Sequence, residues 1–286
     1  MTLRSKGGIA YEERGSGAAF VALHGHSLDR RMSIGAFEPL FAPHGAYRRI
    51  YPDLPFMGES TDEPEGEGHD GILAALCDFI REICPEGTIL LAGESYGGYL
   101  ARGIAKEFGS RVGGLFLLCP AVVARRRARD LPGACVAREW SGWRDEVRAE
   151  GASDRDLADY ETLAVVESAG HFRRFRSEVL AGIRVARLST MDRYCAGAEA
   201  FSFDHMGAAG EPFDSLFEGP ACFFLGRQDS SVGWRDALRL AERYPRASYH
   251  VLDGAGHNAQ IEVPEAFAAA FKTWLADCEA TNLPAS

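Results

Sequence analysis

No stretch of the 286-residue chain stays apolar for the ~18 residues that a membrane-spanning helix needs, so none is expected. Residues 1–15 (MTLRSKGGIAYEERG) lack the apolar core of a secretory leader, and a cytoplasmic location is the expectation. There is no C-x-x-C pair. The seven cysteines are an odd number, and several lie in apolar runs such as Leu117-Leu118-Cys119 and Cys222-Phe223-Phe224. Reduced, buried thiols are therefore expected rather than a disulfide framework. Basic residues are in deficit: 31 Lys and Arg face 41 Asp and Glu, a formal net charge of -10. A surface of that sign repels phosphate backbones and anionic bilayers, so neither nucleic acid nor membrane is an expected partner. Internal repeats and low-complexity tracts are absent as well.

What is present is an ordinary globular composition, 46% hydrophobic and 25% charged, enough for one large α/β domain with room for an insertion. A hairpin is expected around residues 3–14. Short apolar runs follow at 19–23, 47–52, 88–92, 115–119, 221–225 and 247–252, and each ends at a turn signal. That is the mark of buried parallel strands. Between them lie helix-like stretches. In residues 69–84 the apolar residues Ile72, Leu73, Leu76, Phe79, Ile80 and Ile83 recur every three or four positions, and Pro85 stops the run. Residues 263–278 repeat the pattern, with Pro264 in the first turn. Residues 121–215 break the alternation with helical pieces and no convincing strand. The expected architecture is a mostly parallel, doubly wound sheet formed by residues 1–120 and 216–286, with residues 121–215 inserted as a helical lid over the strand ends.

One motif carries chemistry. Gly93-Glu94-Ser95-Tyr96-Gly97 fits G-x-S-x-G and sits between an apolar strand and a helix-like run, Tyr99–Phe108. In that context it reads as a nucleophile elbow, with glycines that let strand and helix approach. A serine hydroxyl is a weak nucleophile at neutral pH and needs a base, which in turn needs an orienting acid. Asp229 follows the strand at 221–225, and His257 follows the strand at 247–252. The order Ser, acid, His, each at a strand end, makes Ser95, Asp229 and His257 the candidate catalytic set. The oxyanion donors proposed on the same logic are the backbone amides of Tyr96 and of His26, in the loop after the first central strand. His24 and His26 as metal ligands are disfavoured, because Asp29 is the only carboxylate close by and His44 is the next histidine. Neither a metal nor a cofactor is expected.

The chain resembles the α/β-hydrolase superfamily over nearly its whole length. The resemblance rests on His24-Gly25, residues 53–60 (DLPFMGES), Gly93–Gly97, Gly226-Arg227-Gln228-Asp229 and Gly256-His257. It looks most like the lidded members, which include esterases, enol-lactonases, meta-cleavage C–C hydrolases and iminopeptidases. The family commonly has glycine where Phe56 stands, so this loop is expected to be reshaped. Ser95 occupies the position at which epoxide hydrolases and haloalkane dehalogenases carry aspartate, which argues against alkyl-enzyme chemistry.

Other signals carry less. Gly66–Gly71 matches G-x-G-x-x-G literally, but no strand precedes it and Glu63, Glu65 and Glu67 would repel a pyrophosphate. Arg125–Arg129 reads as a solvated hinge, with a site for a substrate carboxylate or phosphate as the minor alternative. Glu94 is expected to brace the elbow through a buried ion pair, with electrostatic tuning of the site as the lesser alternative. Trp140, Trp143, Phe172, Phe175, Phe201 and Phe203 read as lid core, some of them facing the pocket. The expected function is hydrolysis of a small, largely apolar carbonyl substrate, a carboxylic ester first. C–C cleavage, lactone opening, aminopeptidase action and a non-catalytic ligand receptor stay open. The expected partner is a small molecule, with a homodimer as an open alternative.

Overall fold

The computed structural model describes residues 3–41, 46–60, 64–66, 68–123, 125–133, 135–195 and 216–282. Its strands are β1 (Arg4–Lys6), β2 (Ile9–Arg14), β3 (Ala18–Leu23), β4 (Tyr47–Pro52), β5 (Ile89–Glu94), β6 (Val112–Leu118), β7 (Arg138–Glu139), β8 (Val166–Glu167), β9 (Ala221–Gly226) and β10 (Ala247–Leu252). Eight of them form one sheet in the order β1-β2-β4-β3-β5-β6-β9-β10. The pairs β1·β2 and β2·β4 are antiparallel, and all other neighbours in this sheet are parallel. Every residue of β5, β6 and β9 is buried, as continuous apolar runs demand, whereas the edge strand β10 is mostly half-buried. The chain leaves β3 for β4 on one side and then crosses to β5 on the other. That reversal opens a crevice at the carboxyl ends of β3 and β5, where open α/β sheets place their ligands.

The helices are α1 (Arg30–Phe37), α2 (Gly68–Ile83), α3 (Ser95–Phe108), α4 (Trp143–Ala149), α5 (Asp154–Glu161), α6 (Ala169–Phe175), α7 (Ala181–Ile183), α8 (Leu188–Cys195), α9 (Arg235–Leu238), α10 (Ala259–Glu262) and α11 (Pro264–Asn282). Local chemistry fixes their starts. Asp29 accepts from Arg31 N to cap α1, Ser153 and Asp156 form a capping box on α5, and Ser168 accepts from His171 N to cap α6. Helices α1 and α11 meet the sheet through an aromatic cluster. Phe116 of β6 lies 5.9 Å from Phe37, 5.6 Å from Phe267, 5.5 Å from Phe271 and 5.5 Å from Trp274, centroid to centroid. These edge-on contacts match ring quadrupoles while removing large apolar surfaces from water.

Between the adjacent strands β6 and β9 the chain inserts α4 to α8. A π-helical turn, Arg176–Leu180, joins α6 to α7 into one helical run. Trp143, Tyr160, Phe172 and Phe175 pack on one another at 5.2–6.0 Å and give this insertion its own core. The expectation of no strand here is corrected: β7 and β8 form a two-residue parallel ribbon, too short to show any period in the sequence. Residues 196–215, with Phe201 and Phe203, lie outside the described residues. So do Glu63, Glu67 and residues 283–286. The departure at Phe56 has a specific outcome. Phe56 takes the left-handed φ of 69° that glycine adopts freely, and its buried ring packs 5.1 Å from Tyr194 of α8. Burial of the ring offsets the backbone strain, which is ~1–2 kcal/mol.

Phe116→Ala should remove the centre of the aromatic cluster and lower the unfolding free energy by about 3–5 kcal/mol. Urea denaturation checks this: the midpoint should fall while the slope stays at its wild-type value.

Candidate active site

Ser95 is the first residue of α3, directly after β5, and its φ is 52°. A non-glycine residue in that region is strained, and the neighbours hold it there. A Cβ on Gly93 would lie 2.4 Å from Gly97 O, and one on Gly97 would lie 2.4 Å from both Leu23 O and His24 O. The two glycines therefore let α3 start against the ends of β3 and β5. His24 braces the same corner. It is buried, its Nδ1–H donates to Gly25 O at 2.8 Å, and its Nε2 accepts from Leu54 N at 2.9 Å. Both ring nitrogens are thus committed to backbone groups.

The loops after β9 and β10 are zipped together. Gln228 N donates to Ala255 O at 2.9 Å, Gln228 Nε2 donates to Asp253 Oδ1 at 2.6 Å, and Ala255 N donates to Gln228 Oε1 at 3.3 Å. This brings Asp229 and His257 to Ser95. His257 Nε2 is 3.0 Å from Ser95 Oγ, and His257 Nδ1 is 2.9 Å from Asp229 Oδ2. An ionised carboxylate only accepts, so Nδ1 carries the proton and Nε2 is left to accept from the serine hydroxyl. Asp229 is fully buried, and its Oδ1 accepts from Ser231 N at 2.8 Å and Val232 N at 3.0 Å. The carboxylate is satisfied on both oxygens, which fixes its direction.

Two further glutamates shape the site. Glu262, at the end of α10, is buried. Its Oε2 accepts from Gly256 N at 2.6 Å, and its Oε1 accepts from Val165 N at 2.6 Å and Val166 N at 3.2 Å. It ties the residue before His257 to the inserted helical segment. Sequence reasoning missed it, since nothing local marks a glutamate that serves three distant amides. Glu94 matches the electrostatic alternative rather than a simple brace. Its Oε1 lies 3.3 Å from His257 Nε2, so the charge faces the imidazole itself, while the buried Oε2 has no hydrogen-bond partner. Burial raises the Glu94 pKa to about 7, with Asp229 adding to the rise; His257 opposes it, as does the Gly25 amide, though without a hydrogen bond of good geometry to Oε2. Burial alone would lower the His257 pKa, but Asp229, by charge and hydrogen bond, and Glu94, by charge, outweigh it and raise it above the ordinary histidine value.

Ser95 opens into a cavity of about 420 Å³, which Tyr96 and His26 also line. His69 Nδ1 shares a hydrogen bond of 2.7 Å with Tyr96 Oη, and burial lowers the His69 pKa to about 4, so its ring is neutral. The inserted segment contributes Met191, Asp192 and Cys195 and two members of the basic run, Arg126 and Arg129, and Tyr99 and Ala121 line the cavity as well. None of the four described insertion aromatics, Trp140, Trp143, Phe172 and Phe175, lines it. Three of them are buried in the insertion's own core, and Trp140 is exposed. The wall thus mixes apolar and aromatic side chains with a few charged ones. A larger cavity of about 530 Å³ lies at the amino ends of β3 and β4, beside Ala18, Tyr47 and Cys278 and away from Ser95. Cys119 Sγ lies within 4.8 Å of ligand atoms of Asp229 and His257. Burial keeps that thiol protonated, and Nδ1 is already committed to Asp229, so the trio is poorly suited to hold a metal ion.

A family model described as "Alpha/beta hydrolase family" matches residues 20–270. An alpha/beta superfamily hydrolase from Oenococcus oeni PSU-1 is 27% identical with a TM-score of 0.86, covering 98% of this chain and 100% of that one. A thermophilic esterase from Thermogutta terrifontis is 26% identical with a TM-score of 0.61, covering 94% and 93%. An esterase from Exiguobacterium antarcticum, 19% identical with a TM-score of 0.65 over 94% and 95%, shares the fold. Comparison with curated proteins yields no match.

A carboxylate 3.3 Å from the imidazole favours imidazolium. Glu94→Gln should therefore move the His257 titration to lower pH, by about one unit. NMR of the imidazole reads this directly; an unmoved titration would mean that Glu94 carries no charge beside the folded-state ring.

Proposed function

Because the chain belongs to the alpha/beta hydrolase family, we propose that it is a serine hydrolase that cleaves a small carboxylic ester through an acyl-enzyme. The observation that carries this reading is the hydrogen-bonded chain from Ser95 Oγ through His257 to Asp229 Oδ2, with steps of 3.0 Å and 2.9 Å. His257 Nε2 takes the Ser95 proton as Oγ attacks the carbonyl carbon. Asp229 holds the ring by Nδ1–H and stabilises the imidazolium that forms. The backbone amides of His26 and Tyr96 bind the developing oxyanion, and the amino end of α3 favours the same charge. The imidazolium then protonates the leaving alcohol. In the second half His257 activates a water, which attacks the acyl carbon and releases the acid and Ser95.

In this reading residues 121–215 act as a lid on the core formed by 1–120 and 216–286. Support comes from Met191, Asp192 and Cys195, which line the cavity together with Ser95. The names of the Oenococcus oeni hydrolase and the Thermogutta terrifontis esterase agree with the reaction class.

Ser95→Ala should lower turnover of a p-nitrophenyl ester by ~10⁴-fold or more. A fluorophosphonate probe should label the wild-type protein at Ser95 and leave the variant unlabelled. A variant with wild-type turnover, or a wild-type protein that resists the probe, would overturn the assignment; the second result fits a receptor on this fold.

A further inference from the structure

The residue before His257 is gripped on both sides. Gly256 N donates to Glu262 Oε2 at 2.6 Å, and Gly256 O accepts from the Cys119 thiol at 3.5 Å. The other oxygen of Glu262 serves the inserted segment, accepting from Val165 N at 2.6 Å and Val166 N at 3.2 Å. Among the described residues only backbone amides donate to this carboxylate. With one oxygen for each side, it cannot release either segment without leaving buried amides unpaired. Space is as tight as the bonding. A Cβ on Gly256 would lie 2.5 Å from Val165 Cγ2 and 3.3 Å from Leu163 O, so the His257 loop and the inserted segment meet with no room for a side chain.

The far side of this contact is held as well. Glu262 closes the short helix α10, and Arg174 of α6 donates to Gln260 O in the same helix at 3.0 Å. Val166 opens β8, and its carbonyl accepts from Tyr160 Oη at 2.8 Å. Tyr160 belongs to the aromatic core of the insertion, 5.3 Å from Trp143 and 5.2 Å from Phe175. A continuous path of packed and hydrogen-bonded groups therefore runs from that core through Val166, Glu262 and Gly256 to His257. Tyr160, Val166 and Glu262 do not line the cavity at Ser95, so the path reaches the imidazole from behind. His257 has little tolerance for movement, because its two ring nitrogens must meet Ser95 and Asp229 together. A misplacement of about 1 Å in such a geometry costs up to about 10²-fold in rate.

We propose that Glu262 is a positioning residue for His257, and that it makes the seating of residues 163–166 of the inserted segment a condition for the imidazole to stand between Ser95 and Asp229. The proposal rests on the reading of Ser95 as nucleophile and His257 as base, and adds what holds that base in register. With the segment seated, both oxygens of Glu262 are satisfied and Gly256 is fixed. When the segment lifts, the amides of Val165 and Val166 leave, the carboxylate turns to water, and Gly256 N loses its acceptor. Ester cleavage is thereby confined to the state in which the insertion also walls the cavity.

Glu262→Gln keeps the size and one acceptor oxygen but sets an NH₂ group, itself a donor, against an N–H. With p-nitrophenyl acetate, kcat should fall about tenfold while KM stays within about twofold, and the NMR resonance of the His257 Nδ1 proton should move. Tyr160→Phe takes the hydroxyl from Val166 O. Alone it should lower kcat about threefold; in the Glu262→Gln background it should add almost nothing, since both act through one link. A glutamate that served folding alone would lower the urea midpoint and leave kcat and the His257 resonance of the folded protein unchanged. That result, or losses that multiply in the double variant, overturns the proposal. If Glu262→Gln does not fold, Tyr160→Phe decides: a moved His257 resonance supports the link and an unmoved one overturns it. If the wild-type protein neither cleaves the ester nor takes the fluorophosphonate, the reading of Ser95 falls, and the resonance, which needs no turnover, decides the link by itself.

Discussion

A carboxylate taken out of water must be met by donors or cations, and at the carboxyl edge of this sheet that requirement organises the loops. Asp53 accepts from Arg30 N, Glu59 N and Arg30 Nη1 and so shapes the loop after β4. Asp229 accepts from Ser231 N, Val232 N and the imidazole. Glu262 gathers Gly256, Val165 and Val166. Each of these three is buried, and each links segments far apart in sequence. Glu94 is the exception: it is as deeply buried, but its Oε1 faces the His257 imidazole instead of a set of amides. The same desolvation that makes three carboxylates into struts makes the fourth an electrostatic neighbour of the imidazole.

That contrast explains how much of the molecule the sequence reveals. Ser95 is legible because its requirements are local: a strand, glycines on both sides and a helix start within a few residues. Asp229 and His257 are legible because β9 and β10 are adjacent and parallel, so a residue just past each strand end arrives at the same place. Apolar runs mark the buried strands well, although β5 continues to Glu94 and β6 begins at Val112, beyond the runs that announce them. The short hairpin of β1 and β2 follows from its Gly7-Gly8 turn.

What the sequence conceals is what depends on packing between distant segments. Glu262 shows no motif, because its three amides come from two other loops. The insertion is rich in aromatics, and composition alone suggests that some face the cavity. In the folded chain Trp143, Phe172 and Phe175 satisfy one another instead. A ring buried in a local core is unavailable to a pocket, and no periodicity distinguishes the two fates. The cavity wall goes to Met191, Asp192 and Cys195 from the end of α8 and to two arginines from an irregular turn. Neither segment has a pattern that predicts its direction.

Charge shows the same separation between global and local. The net value of -10 describes the solvent-facing surface and the long-range field that screens partners. It does not set the potential inside a partly enclosed cavity, where a few fixed groups a short distance from the reacting atoms dominate. Arg126 and Arg129 stand on the wall beside Ser95, whereas Asp229 and Glu94 are turned toward His257. The buried carboxylates of Asp229 and Glu94 thus face the imidazole, and among the described residues the charged groups on the cavity wall are Arg126, Arg129 and Asp192. An acidic protein can in this way keep guanidinium groups beside its cavity, provided that buried carboxylates such as Asp229 and Glu94 are turned inward.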